Sequence, residues 1–140
     1  MNDEGRLERI EAVLERLDEL SRDHIIVIEG IKDRRALNAV GISGDMFLTQ
    51  CSGGPVAAAE YVETHGGRAV VLTDWDRKGN LLAERIAELF PDGPSTDLSV
   101  RGELAVLCSP YIKDVESLDT FVRNLRELAS FRWPASMIIL

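Results

Sequence analysis

The stretch Val70–Gly79, VVLTDWDRKG, carries four residues suited to a buried strand straight into two aspartates one residue apart, then two cations and a glycine. Ending a core strand with like charges is unfavourable, because repulsion and desolvation both act against it. The apolar half of the stretch points to the interior of a sheet, and the charged half to that sheet's edge.

Outward from this stretch, strand and helix patterns alternate. On the N-terminal side, VAAAEYVETHGG reads as a helix opened by Pro55 and stopped by Gly66 and Gly67. DMFLTQC before it is a weaker strand, and KDRRALNAVGI a short helix ending at Gly41. HIIVIEG is a β-branched run closed by a glycine, the pattern of a strand buried on both faces. On the C-terminal side, GNLLAERIAELF reads as a helix stopped by Pro91, PDGPSTDLSVRG as a loop, ELAVLCS as a fourth strand and ESLDTFVRNLRELAS as a helix. The tail 131–140, FRWPASMIIL, reads as an edge strand or a packed cap. Such alternation predicts βαβ units with right-handed crossovers: an α/β fold, Rossmann-like, with a mainly parallel four-stranded sheet in the order 2-1-3-4 and helices on both faces.

Ahead of this unit, residues 1–22 hold an amphipathic helix, with Leu7, Ile10, Val13, Leu14, Leu17 and Leu20 at spacings of three and four. Its apolar face packs on the chain's own domain or, as a two-heptad seam of Leu7, Ile10, Leu14 and Leu17, meets a protein partner or a second copy. The sheet-forming domain runs from 23 to 130.

At 140 residues and 45% apolar content, the chain is one ordinary domain with a real core. A net charge of −8 excludes broad wrapping of a phosphate backbone, which needs many Lys and Arg contacts. Any contact with RNA or DNA is therefore local, or carried by a metal or a partner. Cys51 and Cys108 follow no metal spacing, and as two thiols they fit a reducing compartment. The acidic N-terminus has no signal-peptide pattern, and no apolar run is long enough to span a membrane. A soluble cytoplasmic protein without a membrane segment is the expectation.

In a parallel sheet, functional groups gather at the carboxyl ends of the strands, at the point where strand order reverses. Glu29 ends the first strand, and Asp74 and Asp76 end the third. With the order 2-1-3-4 these strands are neighbours, and three carboxylates converge. Residues two apart in an extended segment share a side, so Asp74 and Asp76 present oxygens to one ion. Mg²⁺, with Mn²⁺ as a substitute, prefers such ligands and keeps places for water and phosphate oxygens.

VIEGIKD, with Glu29, Gly30 and Asp33, followed by VVLTDWDRKG, resembles the Toprim domain of topoisomerases, primases, recombination-repair proteins and a ribonuclease that matures 5S ribosomal RNA. The resemblance covers about Ile25 to Val122, and YIKDVESL is similar to the later segment of small stand-alone Toprim proteins. It implies phosphoryl-transfer chemistry on RNA or DNA, with Glu29 as general acid or base and Asp74 and Asp76 holding Mg²⁺. Phosphate or nucleic-acid contacts fall to Gly30, Lys32, Asp33, Arg77, Lys78, Gly79 and Lys113. Two positions depart from the topoisomerase pattern: Lys78 stands where a third acid would be, and Asn80 follows the glycine.

Trp75 either stacks on a base or packs over the loop. Neither His24, His65 nor Ser109 lies in a ligand or nucleophile motif. Other functional classes compete with the enzyme. A non-catalytic module would use the same acids to bind metal or nucleotide and the first helix to bind a partner. A receiver domain and a haloacid-dehalogenase-type phosphatase both place paired acids after the first strand, whereas here the pair follows the third.

Overall fold

The computed structural model describes residues 1–90 and 95–130. Strands β1 (Ile25–Ile28), β2 (Met46–Leu48), β3 (Ala69–Val71) and β4 (Thr96–Asp97) form one all-parallel sheet in the order β2-β1-β3-β4. Ile26 stands opposite Met46 on one side and Val70 on the other. The order reverses between β1 and β3, so their carboxyl ends open the crevice expected at such a point.

Alternation along the strands feeds two cores. Ile26, Ile28, Val70 and Leu72 face one side, where α1 (Asp3–Leu20), α6 (Ser99–Cys108) and α7 (Leu118–Ser130) cover them with Ile10, Leu17, Leu104, Leu118 and Val122. Ile25, Val27, Ala69 and Val71 face the other, under Ala58 and Val62 of α4 (Gly54–Thr64) and Ala83 and Ile86 of α5 (Arg77–Glu88). Both faces of the sheet are therefore covered, and the two central strands are buried throughout. Two short helices complete the fold, α2 (Ile31–Ala39) after β1 and α3 (Thr49–Ser52) after β2.

Helix α1 buries Leu7, Ile10, Leu14 and Leu17 in its own domain, against α6 and α7. The seam read as a dimer contact is thus used internally. Only an outer face that includes Glu8, Ala12, Glu15 and Glu19 is left for a partner.

The fourth strand does not come from ELAVLCS. That segment belongs to α6, and the strand is Thr96–Asp97, inside the presumed loop. Val100, Leu104 and Cys108 recur every four residues and are all buried, which is a helix period. Asp97 helps start the helix, its Oδ1 accepting from the backbone N–H of Ser99 at 2.8 Å and from the Ser99 hydroxyl at 2.8 Å. The sheet order stands, with a two-residue edge strand in place of the longer one. Consequently Cys51 and Cys108 do not end strands. Cys51 is exposed on α3 and Cys108 is buried on α6. The tail 131–140 lies outside the described residues.

Candidate functional site

Glu29 follows β1 directly, is 6% exposed, and its Oε2 accepts from the Asp74 backbone N–H at 2.7 Å. One carboxylate therefore ties together the ends of the two central strands. Asp33, equally buried, accepts from the Gly30 N–H at 3.0 Å and so caps α2. Burial, and then the charges of Glu29 and Glu116, hold Asp33 above the usual carboxylate range. Asp74 accepts from the Val115 N–H at 2.9 Å through Oδ1. Burial first, with Glu29, Asp33 and Asp114 adding repulsion, pushes it up to about 7. Glu29, Gly30, Asp33, Gln50, Asp74 and Glu116 are among the residues lining a cleft of about 370 Å³.

Asp76 does something different. The alternation that sets Val70 and Leu72 on one face does not carry through to Asp76, because the chain bends at Trp75 and Asp76 and turns into α5. Asp76 is exposed and caps α5, its Oδ1 accepting from the Gly79 N–H at 2.7 Å. Glu29 and Asp74 converge, with Asp33 beside them, while Asp76 does not line the cleft. Among the described residues no group of three or more His, Cys, Asp or Glu side chains is arranged to hold a metal ion. The donors that do converge are all hard oxygens, and Asp74 is deficient in positive charge. That set fits Mg²⁺ bound by one or two carboxylates, with water or phosphate oxygens supplying the rest of its shell.

The remaining sequence-predicted residues separate into two groups. Lys32, Arg77, Lys78 and Lys113 are exposed, as are Arg34 and Arg35. Among the described residues these six form none of the ion pairs, which instead involve Arg6, Arg16, His24, Arg68, Arg85 and Arg126. Gly30 and Gly79 are buried. A Cβ on Gly79 would lie 1.8 Å from the Asp74 carbonyl oxygen, so the close approach this glycine permits is to the chain's own backbone rather than to a phosphate.

Trp75 is 9% exposed and donates from Nε1 to the Ile112 carbonyl at 2.7 Å, which settles it as a packed ring. Its backbone N–H donates to the Lys113 carbonyl at 3.0 Å, pinning the 112–115 segment beside the aspartates. The backbone around Lys113 and Asp114 thus lies against the DWD segment, and a helix rather than a strand precedes it.

Sequence reasoning missed Arg101 of α6. Its Nε donates to the Thr73 carbonyl and hydroxyl, each at 3.0 Å, and its Nη2 donates to the Asp74 carbonyl at 2.6 Å and to Asn80 Oδ1 at 2.5 Å. Two of the four acceptors are main-chain carbonyls and the other two are uncharged side-chain oxygens, so no charged motif betrays them. Gln50 and Glu116 were missed as well: Gln50 lines the cleft from α3, and Glu116 from the segment between α6 and α7, two residues past Asp114.

Fold and site together define an α/β protein with a carboxylate cleft at the switch point of a parallel sheet. The chain belongs to the UPF0292 family. It is 40% identical to a UPF0292 protein of Methanosarcina barkeri over 123 residues, 86% of this chain and 85% of that one. It is 31% identical to a UPF0292 protein of Methanocaldococcus jannaschii over 123 residues, 85% of this chain and 96% of that one. A solved structure of a protein from Aquifex aeolicus shares the fold, with a TM-score of 0.64 at 20% identity, covering 76% of this chain and 95% of the other. No protein-family model matches the chain.

Proposed function

We propose that this protein is a Mg²⁺-dependent enzyme of Toprim type that acts on phosphodiester bonds in RNA or DNA. The observation that carries the reading is the juxtaposition of two neighbouring carboxylates, the buried Glu29 and the half-buried Asp74, with exposed cations that form no ion pair among the described residues. Arg77 and Lys78 open α5, and Lys32 lies in the first turn of α2. Cations at a helix N-terminus oppose the macrodipole, and although Asp76 and Asp33 offset this at the starts of α5 and α2, a phosphate there would be favoured by both the cations and the dipole.

Asp74 and Glu29 would hold the divalent cation, with Mn²⁺ able to replace Mg²⁺, and Asp33 would add negative charge behind them. A bound cation of this kind neutralises charge developing on phosphate oxygens. Glu29 is the residue placed to move a proton, since only Oε2 is committed to the Asp74 N–H. Lys32, Arg77, Lys78 and Lys113 would meet phosphates. A second cleft of about 790 Å³ between α2 and α7 shares Lys32 and Glu116 with the carboxylate cleft and includes Arg35, giving a strand a path away from the acids. With a net charge of −8, contact stays confined to this rim. Two unbridged cysteines and the absence, among the described residues, of a helix able to cross a membrane support a cytoplasmic setting.

Labelled RNA and DNA incubated with wild type and Glu29→Gln, with and without Mg²⁺, test the proposal. Metal-dependent cleavage by wild type, reduced about 100-fold or more in the variant, is expected. Equal cleavage by both proteins would sink it. Tight metal binding with no turnover on either nucleic acid would favour a non-catalytic module instead.

A further inference from the structure

We propose that Arg101 is the positioning residue of this site: from α6 it locks the Thr73–Asp74 backbone so that the Asp74 carboxylate is set for a divalent cation. The inference rests on the metal reading of the cleft. It adds a role for a residue on another element, to which neither the aspartate motif nor the glutamate points.

Four hydrogen bonds converge from one guanidinium, and they end on the Thr73–Asp74 loop and on Asn80 in the first turn of α5. Nε is shared between the carbonyl and hydroxyl of Thr73, while Nη2 spans the Asp74 carbonyl and Asn80. The same loop is knitted from within. The fully buried Thr73 hydroxyl donates to the Gly79 carbonyl at 2.8 Å, Asp76 caps the Gly79 N–H, and the Gly79 Cα sits against the Asp74 carbonyl. Arg101 closes this knot from outside, joining α6 to the turn between β3 and α5. Arginine suits the task because its planar fork meets several fixed acceptors at once, which an ammonium cannot reproduce.

None of its direct acceptors is a carboxylate. An arginine kept only for charge would pair with an acid side chain, yet this one spends its donors on neutral oxygens, within electrostatic range of Glu29, Asp74 and Asp76. Burial pulls its pKa down, against the pull of those three acids. Partly burying a guanidinium to hold two carbonyls and an amide is costly, and it makes sense where loop geometry matters.

Charge and position predict opposite results, which makes the idea testable. Removing a nearby cation should by itself tighten binding of a second cation, whereas releasing the loop should weaken it. Mn²⁺ affinity is measured from the spectroscopic signal of free Mn²⁺ for wild type, Arg101→Gln, Arg101→Lys and Asn80→Ala, with thermal unfolding and circular dichroism alongside. Arg101→Gln is expected to weaken Mn²⁺ binding about tenfold or more, the usual scale for residues that orient metal ligands. Arg101→Lys should fail to restore it despite keeping the charge. Asn80→Ala, at an exposed position, should keep the fold and weaken binding by a smaller factor. Unchanged or tighter binding in Arg101→Gln, or recovery in Arg101→Lys, would overturn the positioning role while leaving the metal reading intact. If Arg101→Gln fails to fold, Asn80→Ala decides: wild-type affinity there would overturn the role. Absence of Mn²⁺ binding by wild type would overturn both proposals.

Discussion

Asp74 concentrates the chemistry of the cleft into one titrating group. Its carboxyl is pushed up to about 7 by burial and by neighbouring acids, so the folded state holds a proton that the unfolded chain releases near pH 4. The folded protein binds the extra proton between those values, and stability therefore falls as pH rises from about 4 to about 7, then stays level. Without divalent cations, Asp74→Asn should be more stable than wild type at pH 8, on the order of 2 kcal/mol by chemical denaturation, and no different at pH 4. Gly79 sets the opposite limit. A methyl group there would meet the Asp74 carbonyl at 1.8 Å, and Gly79→Ala should cost about 3 kcal/mol or displace the loop, measured in the same way. The two thiols differ in kind as well. Burial pushes Cys108 up to about 12, so an alkylating reagent should modify exposed Cys51 in the native protein and reach Cys108 only after unfolding. These residues show how much of the site a sequence can display. Glu29 stands out because it directly follows an unbroken apolar strand, and Asp74 because it closes the run that continues β3 through Leu72 and Thr73. Asp76 stands apart from Asp74 because it opens α5 and its carboxylate is taken up as the cap of that helix, a role the spacing of the two aspartates does not display. Arg101 left no trace, since two of its four acceptors are carbonyls that every residue possesses and the other two, on Thr73 and Asn80, carry no charge.

Helix α5 trades stability for charge placement. Its first turn holds Arg77 and Lys78 and no acid, against the preference of the helix dipole. Lys78→Glu should therefore stabilise the fold by about 0.3–1 kcal/mol in thermal unfolding while weakening nucleic-acid binding measured by fluorescence anisotropy. An increase in both quantities would remove this residue from the phosphate rim. Helix α6 carries the lesson for element assignment. ELAVLC is apolar enough to suit a strand or a helix, and the four-residue spacing of Val100, Leu104 and Cys108 shows only when the reading starts before Glu103. Strand β4, two residues long, is too short to hold any periodicity at all. By contrast β1 and β3 were legible because strands buried on both faces leave continuous β-branched runs.

At the scale of the whole molecule, two cores hold a parallel sheet whose central strands deliver Glu29 and Asp74 to one cleft. The α1–α6–α7 layer closes one face and, through Arg101, reaches the loop that carries Asp74. On the proposed reading, an acidic protein whose exposed Lys32, Arg77, Lys78 and Lys113 form no ion pair among the described residues would meet phosphate in a small, local encounter rather than by broad binding. The decisive measurement is a calorimetric titration of Mg²⁺ into wild type, Asp74→Asn and Asp76→Asn at pH 8. Wild type should bind, Asp74→Asn should lose about tenfold or more in affinity, and Asp76→Asn, whose amide oxygen keeps the α5 cap, should lose less and unfold much as wild type does. No binding by wild type, or equal affinity in wild type and Asp74→Asn, would contradict the account.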